Sequence, residues 1–325
     1  MLRKIRIALA TIFYVAITAL FLDFTGTLHA WLGWMAKIQF LPALLALNVG
    51  VVIALIALTL IFGRVYCSVI CPLGVMQDLI AWMGKKAKKN RYSYSPEKRW
   101  LRIAVLAIYG VSLILGGSVI AQLLAPYSAY GRIANNLLAP LYQWGNNGLA
   151  YLAERMGSYA FYETEVWIRS GVTFGIACAT LLIVGILAWR GGRTYCNTIC
   201  PVGTVLGYIA RFSWLKPVID TEKCNSCGLC QRNCKASCID VKSHSIDYSR
   251  CVACMDCIGT CKKHGITYKH VKATTVTASD ATGAQVDTSR RAFLATTAAV
   301  AATATIKAQE KKVDGGLAAI QDKVV

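Results

Sequence analysis

Eight cysteines in the C-terminal third carry the clearest chemistry in this chain of 325 residues. Residues 224–234 read Cys224-Asn-Ser-Cys227-Gly-Leu-Cys230-Gln-Arg-Asn-Cys234, and residues 251–261 read Cys251-Val-Ala-Cys254-Met-Asp-Cys257-Ile-Gly-Thr-Cys261. This is C-x2-C-x2-C-x3-C written twice, with the starts 27 residues apart. Such short spacings wrap three thiolates around one [4Fe–4S] cube, and the fourth cysteine reaches across to the other cube. The spacing therefore predicts one cluster on Cys224, Cys227, Cys230 and Cys261 and a second on Cys251, Cys254, Cys257 and Cys234. Zinc sites and a disulfide framework are the competing readings, but zinc usually takes paired C-x2-C halves and not triplets. Two adjacent cubes imply the passage of single electrons.

A second set of cysteines comes with a repeat. Residues 63–74 are Gly-Arg-Val-Tyr-Cys67-Ser-Val-Ile-Cys71-Pro-Leu-Gly, and residues 192–203 are Gly-Arg-Thr-Tyr-Cys196-Asn-Thr-Ile-Cys200-Pro-Val-Gly; eight of twelve positions agree. Pro72 and Pro201 suit the first position of a helix, so each pair is expected in a turn leading into one. A thiol just before a helix start, with Arg64 or Arg193 nearby, is expected to be a stabilised thiolate. Packed around a common axis, Cys67, Cys71, Cys196 and Cys200 would converge. Three roles stay open for them: a third cluster or metal site, a redox-active thiol relay, or a structural role.

Other residues invite simpler readings. Cys238 lies four residues past Cys234 and competes with it as the bridging ligand, although the x3 spacing favours Cys234. Cys178, in the middle of an apolar run, reads as an inert core thiol. Lys235 and Lys262 follow Cys234 and Cys261 where many ferredoxins have proline; they either raise cluster potential by charge or favour an acidic partner. His29, with Trp31 and Trp34, is either a quinol or haem contact or, more simply, part of an interfacial aromatic belt. His244 and His264 read as surface residues. The chain has no nucleotide-binding glycine loop, Ser/His/Asp arrangement or convincing haem-attachment motif.

The elements that must position these cysteines are mostly apolar. Hydrophobic residues make up 56% of the chain, and mean hydropathy is +0.48. Uncharged apolar runs occupy 7–22, 38–63, 103–125 and 170–189, each near the length a helix needs to cross about 30 Å of hydrocarbon. The first is read as a retained anchor and not a signal peptide, because no convincing small-residue cleavage site follows it.

The net charge of +19 suggests nucleic acid until its placement is considered. Arg3, Lys4 and Arg6 precede the first run. Residues 64–102 carry Arg64, Lys85, Lys86, Lys88, Lys89, Arg91, Lys98, Arg99 and Arg102 against Asp78 and Glu97. The alternate loops are near neutral: Asp23 and Lys37 in one, Arg132, Arg155 and Arg169 against Glu154, Glu163 and Glu165 in the other. Basic loops orient membrane proteins toward the cytoplasm. That reading returns the chain to the cytoplasm at Arg190 and puts the N-terminus and both ferredoxin motifs in a reducing compartment, where cysteines serve as ligands and not disulfides.

The expected architecture is an α-helical integral membrane protein with a small cytoplasmic α+β ferredoxin-like domain for two clusters. The membrane domain (1–215) holds four transmembrane helices in two tandem hairpin repeats, the parallel kind related by an axis along the membrane normal. The ferredoxin-like domain (216–272) has β-like pieces at 239–241 and 265–268, and is small enough that its clusters must help organise it. A linker (273–288) leads to Ser289-Arg290-Arg291-Ala292-Phe293-Leu294 and an apolar stretch to Ile306, then a tail (307–325). The 289–306 segment resembles a twin-arginine export signal; the alternatives are a fifth membrane span and a weakly amphipathic tail helix.

Membrane helices ending twice in C-x3-C-P, followed by two ferredoxin motifs, resemble the NapH/NosR-like membrane polyferredoxins over roughly residues 1–270. The resemblance implies electron transfer between the quinone pool, or a cytoplasmic donor, and a respiratory or periplasmic reductase, at a bacterial inner membrane. It carries to Cys67, Cys71, Cys196, Cys200 and the eight ferredoxin cysteines. The implied partners are the lipid bilayer, a quinone or quinol, and a redox protein, with no nucleic acid. An electron-donating maturation factor for a metalloenzyme and a redox-sensing regulator are the alternative functions. An electron-transfer subunit is expected in preference to a stand-alone enzyme.

Overall fold

The computed structural model describes residues 2–270 except 24–25, 87–91, 117, 158–161, 165 and 167–169. The expected linker, the twin-arginine-like segment with its candidate fifth span, and the tail lie outside the described residues, as do Lys88, Lys89, Arg91, Glu165 and Arg169 of the charge pattern. Helix α1 (Leu2–Leu22) is one unbroken apolar helix, followed by the short α2 (Thr27–Leu32) and α3 (Trp34–Lys37). The run expected at 38–63 is split into α4 (Phe40–Leu45) and α5 (Val49–Phe62). Leu47 turns into the left-handed region at φ 53, and the Asn48 side chain then caps α5 by accepting from the Val51 amide at 3.4 Å. After a π-helical turn, Tyr66–Ile70, comes α6 (Pro72–Lys86).

The run expected at 103–125 is also split, into α7 (Arg99–Ile114) and α8 (Ser118–Leu124), with Gly116 at φ 72 between them. The chain continues through α9 (Pro126–Ile133), a π-helical turn at Ala134–Leu138, and α10 (Ala139–Arg155). Helix α11 (Gly171–Gly191) is unbroken and capped by Ser170, which accepts from the Val172 amide at 3.3 Å. Short α12 (Thr194–Thr198) and apolar α13 (Pro201–Ala210) complete the helical part. Among the described residues, α1 and α11 are the two helices long and apolar enough to cross a membrane. Their outer faces stay apolar: Ile12, Val15, Leu182, Ile183 and Ile186 are each more than half exposed, which marks a surface for lipid or partner.

The two C-x3-C-P copies are built alike and exchange partners. Helix α5 stops at Gly63 (φ 70) and α11 at Gly192 (φ 66), left-handed positions that suit glycine. A short helical turn carrying the first cysteine follows, then a helix started by Pro72 or Pro201. The first copy's α6 packs on the second copy's α11, while the second copy's α13 packs on the first copy's α5. Helix α1 packs on the Tyr66–Ile70 turn and α6, and α7 correspondingly on α12 and α13. The core where these meet contains Ile17, Tyr66, Leu73, Tyr130, Val184 and Leu206.

Three arginines lie wholly inside: Arg64, Arg102 and Arg193 have essentially no exposed surface. The charge pattern counts Arg64 and Arg102 as loop charges facing the membrane surface. They are instead internal: Arg64 donates to Asn197 Oδ1 and to the Ser249 and Cys196 carbonyls, all far away in sequence, and Arg102 donates to Ser249 Oγ at 3.2 Å. Arg102 pairs with Glu97, which also holds Arg211 at 2.8 Å.

The cysteine-rich part is tied to this helical unit; residues Met1–Lys272 form one compact body. Strand β1 (Leu215–Ile219) pairs antiparallel with β4 (Ile266–His270), Leu215 opposite His270 and Ile219 opposite Ile266. Strand β2 (Ile239–Asp240) pairs antiparallel with β3 (Ser245–Ile246). Two one-turn helices, α14 (Leu229–Asn233) and α15 (Asp256–Thr260), pack against each other.

Candidate functional site

The two loops that carry the ferredoxin motifs share one backbone path. In the first, Ser226 (φ 52) and Gly228 (φ 71) are left-handed; in the second, Ala253 (φ 49) and Met255 (φ 59) occupy the matching places. Alternating the backbone hand between neighbouring residues turns successive N–H groups toward one centre, a concavity suited to an anion. Left-handed alanine and methionine cost energy, so the loop shape is imposed on residues that do not prefer it. Each loop then enters its short helix and leaves it at Cys234 or Cys261. Left-handed Ser237 and His264 close the exits, donating from their amides to the Cys234 and Cys261 carbonyls at 3.0 and 3.2 Å.

The side chains gather into two hollows in the groupings that the spacing predicts. Cys224, Cys227, Cys230 and Cys261 line one. Cys234, Cys251, Cys254 and Cys257 line the other, together with Cys238. Among the described residues no three cysteine, histidine or carboxylate side chains close on a point as a single ion would need. Each hollow offers at least four thiols, the donor number that a [4Fe–4S] cube takes.

Cys238 is the residue that spacing leaves ambiguous. It is fully buried, and its Sγ lies 3.5 Å from that of Cys234. Hydrogen bonding with Cys234 and Cys251 raises the Cys238 thiol well above its ordinary pKa. The same bond, reinforced by the Ala236 and Ser237 amides against the effect of burial, lowers Cys234 to about 7, and Cys251 is also lowered. Cys238 therefore holds its proton and donates it, while Cys234 and Cys251 are the better anions.

The loops around the second hollow are bonded to the two C-x3-C-P turns. Arg193 donates its amide to the Lys235 carbonyl at 2.8 Å, and Asn197 Nδ2 donates to the Ala236 carbonyl at 3.2 Å. Arg64 Nη1 donates to the Ser249 carbonyl at 3.1 Å. These carbonyls sit just after Cys234 and just before Cys251. Lys235 is mostly buried between Asp78 (3.6 Å) and Asp256 (3.1 Å), so it faces inward and is not presented to an acidic partner. At the other end Cys227 is exposed.

The four remaining repeat cysteines are buried together: Cys67, Cys71, Cys196 and Cys200 are each at most 3% exposed. The arginines cross between copies. Arg64 Nη2 donates to the Cys196 carbonyl at 3.1 Å, and Arg193 Nη1 donates to the Cys67 carbonyl at 2.5 Å. Glycine makes room for each: a Cβ on Gly74 would stand 2.8 Å from Arg193 Nη1, and one on Gly203 would stand 2.9 Å from Arg64 Nη2. N–H donors point at the sulfurs, from Gln77 Nε2 to Cys196 Sγ and from the Gly203 amide to Cys200 Sγ, both at 3.3 Å.

The expected thiolate character is not what this environment produces in the free thiols. Burial, followed by repulsion from neighbouring cysteines, pushes Cys71 and Cys200 upward. Cys196 is also raised, burial outweighing Arg193 and Arg64. Asp78, missed by sequence reasoning, joins the parts. It accepts from Arg193 Nε and Nη2 at 2.9 and 2.8 Å and from Arg6 Nη1 at 2.9 Å. Burial would raise its pKa, but Arg193, Lys235 and Arg6 hold it well below the carboxylate range. Asp78 and Gln77 occur only in the first copy, where Leu206 and Gly207 stand in the second, so comparing the repeats could not reveal them.

A protein-family model described as a 4Fe–4S binding domain matches residues 44–90 and 172–219. These segments contain the C-x3-C-P pairs and not the ferredoxin motifs. The ferredoxin-type protein NapH of Escherichia coli K12 is 26% identical over 235 residues, covering 70% of this chain and 69% of NapH. YccM of the same organism is 26% identical over 221 residues, 68% of this chain and 55% of YccM. The regulatory protein NosR of Stutzerimonas stutzeri is 26% identical over 209 residues, 61% of this chain and 23% of NosR. The chain thus matches little more than half the length of YccM and under a quarter of NosR. No solved structure matches it significantly.

Proposed function

We propose that this chain, which belongs to the NapH/NosR-like family of ferredoxin-type 4Fe–4S proteins, carries single electrons between a redox protein at its exposed ferredoxin end and its apolar helical unit. The helical unit is proposed to sit in a bacterial inner membrane with four crossings, the split runs 38–63 and 103–125 each contributing one. The ferredoxin part then lies on the cytoplasmic side, beside the basic segment 64–102. Cys224, Cys227, Cys230 and Cys261 would hold the outer cube, and Cys234, Cys251, Cys254 and Cys257 the inner one, with Cys238 donating to two of its ligands. Each cube, when bound, accepts and returns one electron.

The observation that carries this reading is the order of the two hollows. One has an exposed cysteine at its rim; the other is pinned to the helical unit by Arg193, Asn197 and Arg64. The chain's own residues supply the rest. Inward amides stabilise anionic clusters, and Lys235 with its two carboxylates fixes the inner loop in place. The distal electron exchange is proposed with a quinone or with a respiratory or periplasmic reductase.

A Cys227→Ser variant tests the order. Reduced two-cluster bacterial ferredoxin serves as protein donor and dithionite as small donor, with reduction followed by EPR. The variant should accept electrons from the ferredoxin at least about tenfold more slowly, while dithionite still reduces the inner cluster. An unchanged rate from the protein donor would refute the outer site as the point of entry.

A further inference from the structure

We propose that helix α10 (Ala139–Arg155) lies in the plane of a phospholipid leaflet, at the end of the helical unit remote from the ferredoxin part, with its apolar face in the lipid. This rests on the membrane placement proposed above and adds a contact to it. The position follows from Thr173, whose Oγ1 donates to Asn136 Oδ1 at 3.3 Å. Asn136 leads into α10, and Thr173 lies at the start of α11, whose other end meets the ferredoxin part through Arg193. At 1.5 Å per residue, the 21 residues of α11 set the two levels about 30 Å apart.

The helix is built inside out. At about 100° per residue, Leu141, Gly145, Leu149 and Leu152 run down one side, with Met156 just past the end. The three leucines are 51–62% exposed and Met156 86%. Gln143, Asn146 and Asn147 lie on the opposite side and are less exposed than the leucines. Asn146 Nδ2 donates to the Tyr162 carbonyl at 2.9 Å. Asn147 Nδ2 donates to the Thr164 carbonyl at 2.7 Å, and its Oδ1 accepts from the Thr164 amide at 2.9 Å. The chain's own loop thus takes the polar side and leaves the apolar side bare. In water that orientation forgoes the burial an amphipathic helix normally gains, so an apolar medium must face it.

The order of residues within the face selects lipid over protein. Its middle is aliphatic and its edges are aromatic: Tyr142 on one, Trp144 and Tyr151 on the other, all exposed. A protein interface places tryptophan and tyrosine anchors at its centre. Rings with a polar tip belong instead at the two edges of an in-plane helix, where acyl chains give way to headgroups. Arg155, the charge on this side, lies over the Tyr151 ring at 5.1 Å, on the edge from which a guanidinium reaches phosphate. The bare outer faces of α1 and α11 require the same medium. A helix of 17 residues with three amides along one side suits the surface of a leaflet and not a crossing.

The full chain is reconstituted into phosphatidylcholine vesicles, alongside Trp144→Phe and Trp189→Phe variants. Subtracting each variant's tryptophan emission from that of the unmodified chain isolates Trp144 on α10 and Trp189 on α11. The Trp144 component should lose most of its intensity to lipids brominated near the headgroup, less to lipids brominated near the chain ends, and little to aqueous acrylamide. Quenching of Trp144 by acrylamide and not by bromolipid, with Trp189 quenched by bromolipid, overturns the proposal and leaves the membrane placement standing. Bromolipid quenching of neither residue removes both. Stronger quenching of Trp144 from the chain ends overturns the in-plane position. A Trp144 shielded from both quenchers in a chain that sediments as a dimer overturns the lipid contact and gives the face to a second copy.

Discussion

Replacing Asp78 by asparagine removes one negative charge from among three cations and keeps the side chain's shape. Asp78 is 12% exposed, Arg193 not at all, Arg6 9% and Lys235 17%, so solvent screens little of this network. Breaking a buried ion pair by deleting one partner costs about 3–5 kcal/mol, because the other partner is left buried and uncompensated. Two features pull the expected loss toward the low end. Lys235 keeps Asp256 at 3.1 Å, and Arg193 keeps the Cys67 carbonyl. The expected loss is therefore about 3 kcal/mol, more than a hundredfold in the folding equilibrium.

Urea unfolding of the full chain in detergent micelles, followed by tryptophan fluorescence, measures it as a difference from the unmodified protein. The pH dependence is a second check. The folded pKa of Asp78 lies below its unfolded value of about 3.9. Its contribution is therefore complete above that value and is lost as pH falls through the folded pKa. The gap between the two proteins should be constant from about pH 5 to 8 and should narrow below about pH 4. A loss under about 1 kcal/mol, typical of exposed pairs, or a gap that widens in acid, would refute this account of Asp78.

Gly192 and Gly63 share a left-handed φ but differ in surroundings. A Cβ on Gly192 would stand 2.5 Å from the Lys235 carbonyl, whereas Gly63 has nothing closer than 3.8 Å. Gly192→Ala should cost well over the roughly 1 kcal/mol expected of Gly63→Ala, read as faster bleaching of the visible iron–sulfur absorbance. Cys234→Ala should lower iron by about four per chain while Cys238→Ala should not; metal analysis showing the reverse would make Cys238 the ligand. Chelating iron under reducing conditions should expose residues 216–270 to protease while far-UV circular dichroism keeps most of its helical signal, since that small segment depends on its clusters for stability.

The parts of the site set by local spacing were legible, and the parts set by distant partners were not. Short intervals within Cys224–Cys234 and Cys251–Cys261 group the thiols because a chain of two or three residues can reach only adjacent corners of one hollow. The exchange at Cys234 and Cys261 follows from the same geometry. Gly63, Gly192, Pro72 and Pro201 announce the stops and starts of helices by their own backbone chemistry. By contrast, hydropathy averaged over 38–63 or 103–125 passes over a single left-handed residue, so Leu47 and Gly116 went unseen as breaks. Counting basic residues in 64–102 treats Arg64 like Lys85. The difference lies in acceptors such as Asn197, which is 133 residues away from Arg64. The thiol environment misled for a similar reason: proximity of arginine was visible, but complete burial was not.

The two C-x3-C-P copies pack on corresponding elements, yet they hold the ferredoxin part asymmetrically. Arg64 and Arg193 occupy equivalent places in the two copies, and each reaches the other copy's first cysteine carbonyl. On the ferredoxin side, however, Arg193 meets the carbonyl after Cys234 and Arg64 meets the carbonyl of Ser249, two residues before Cys251. Both contacts flank one hollow. Had the docking followed the internal symmetry of the ferredoxin part, Lys262, the counterpart of Lys235, would be gripped as well; the Arg193 amide contacts Lys235 instead. Two similar turns thus single out one of two similar sites, the one beside Cys234 and Cys251, while Cys227 of the other stays exposed. Arginine suits this task better than lysine. The planar fork of Arg64 bonds the Cys196 carbonyl in the partner copy and the Ser249 carbonyl in the ferredoxin loop at once, which a single ammonium on a flexible stem does poorly; Arg193 reaches the ferredoxin loop through its backbone amide. The polarity of the proposed electron path is therefore written in which loop the two guanidinium-bearing turns hold.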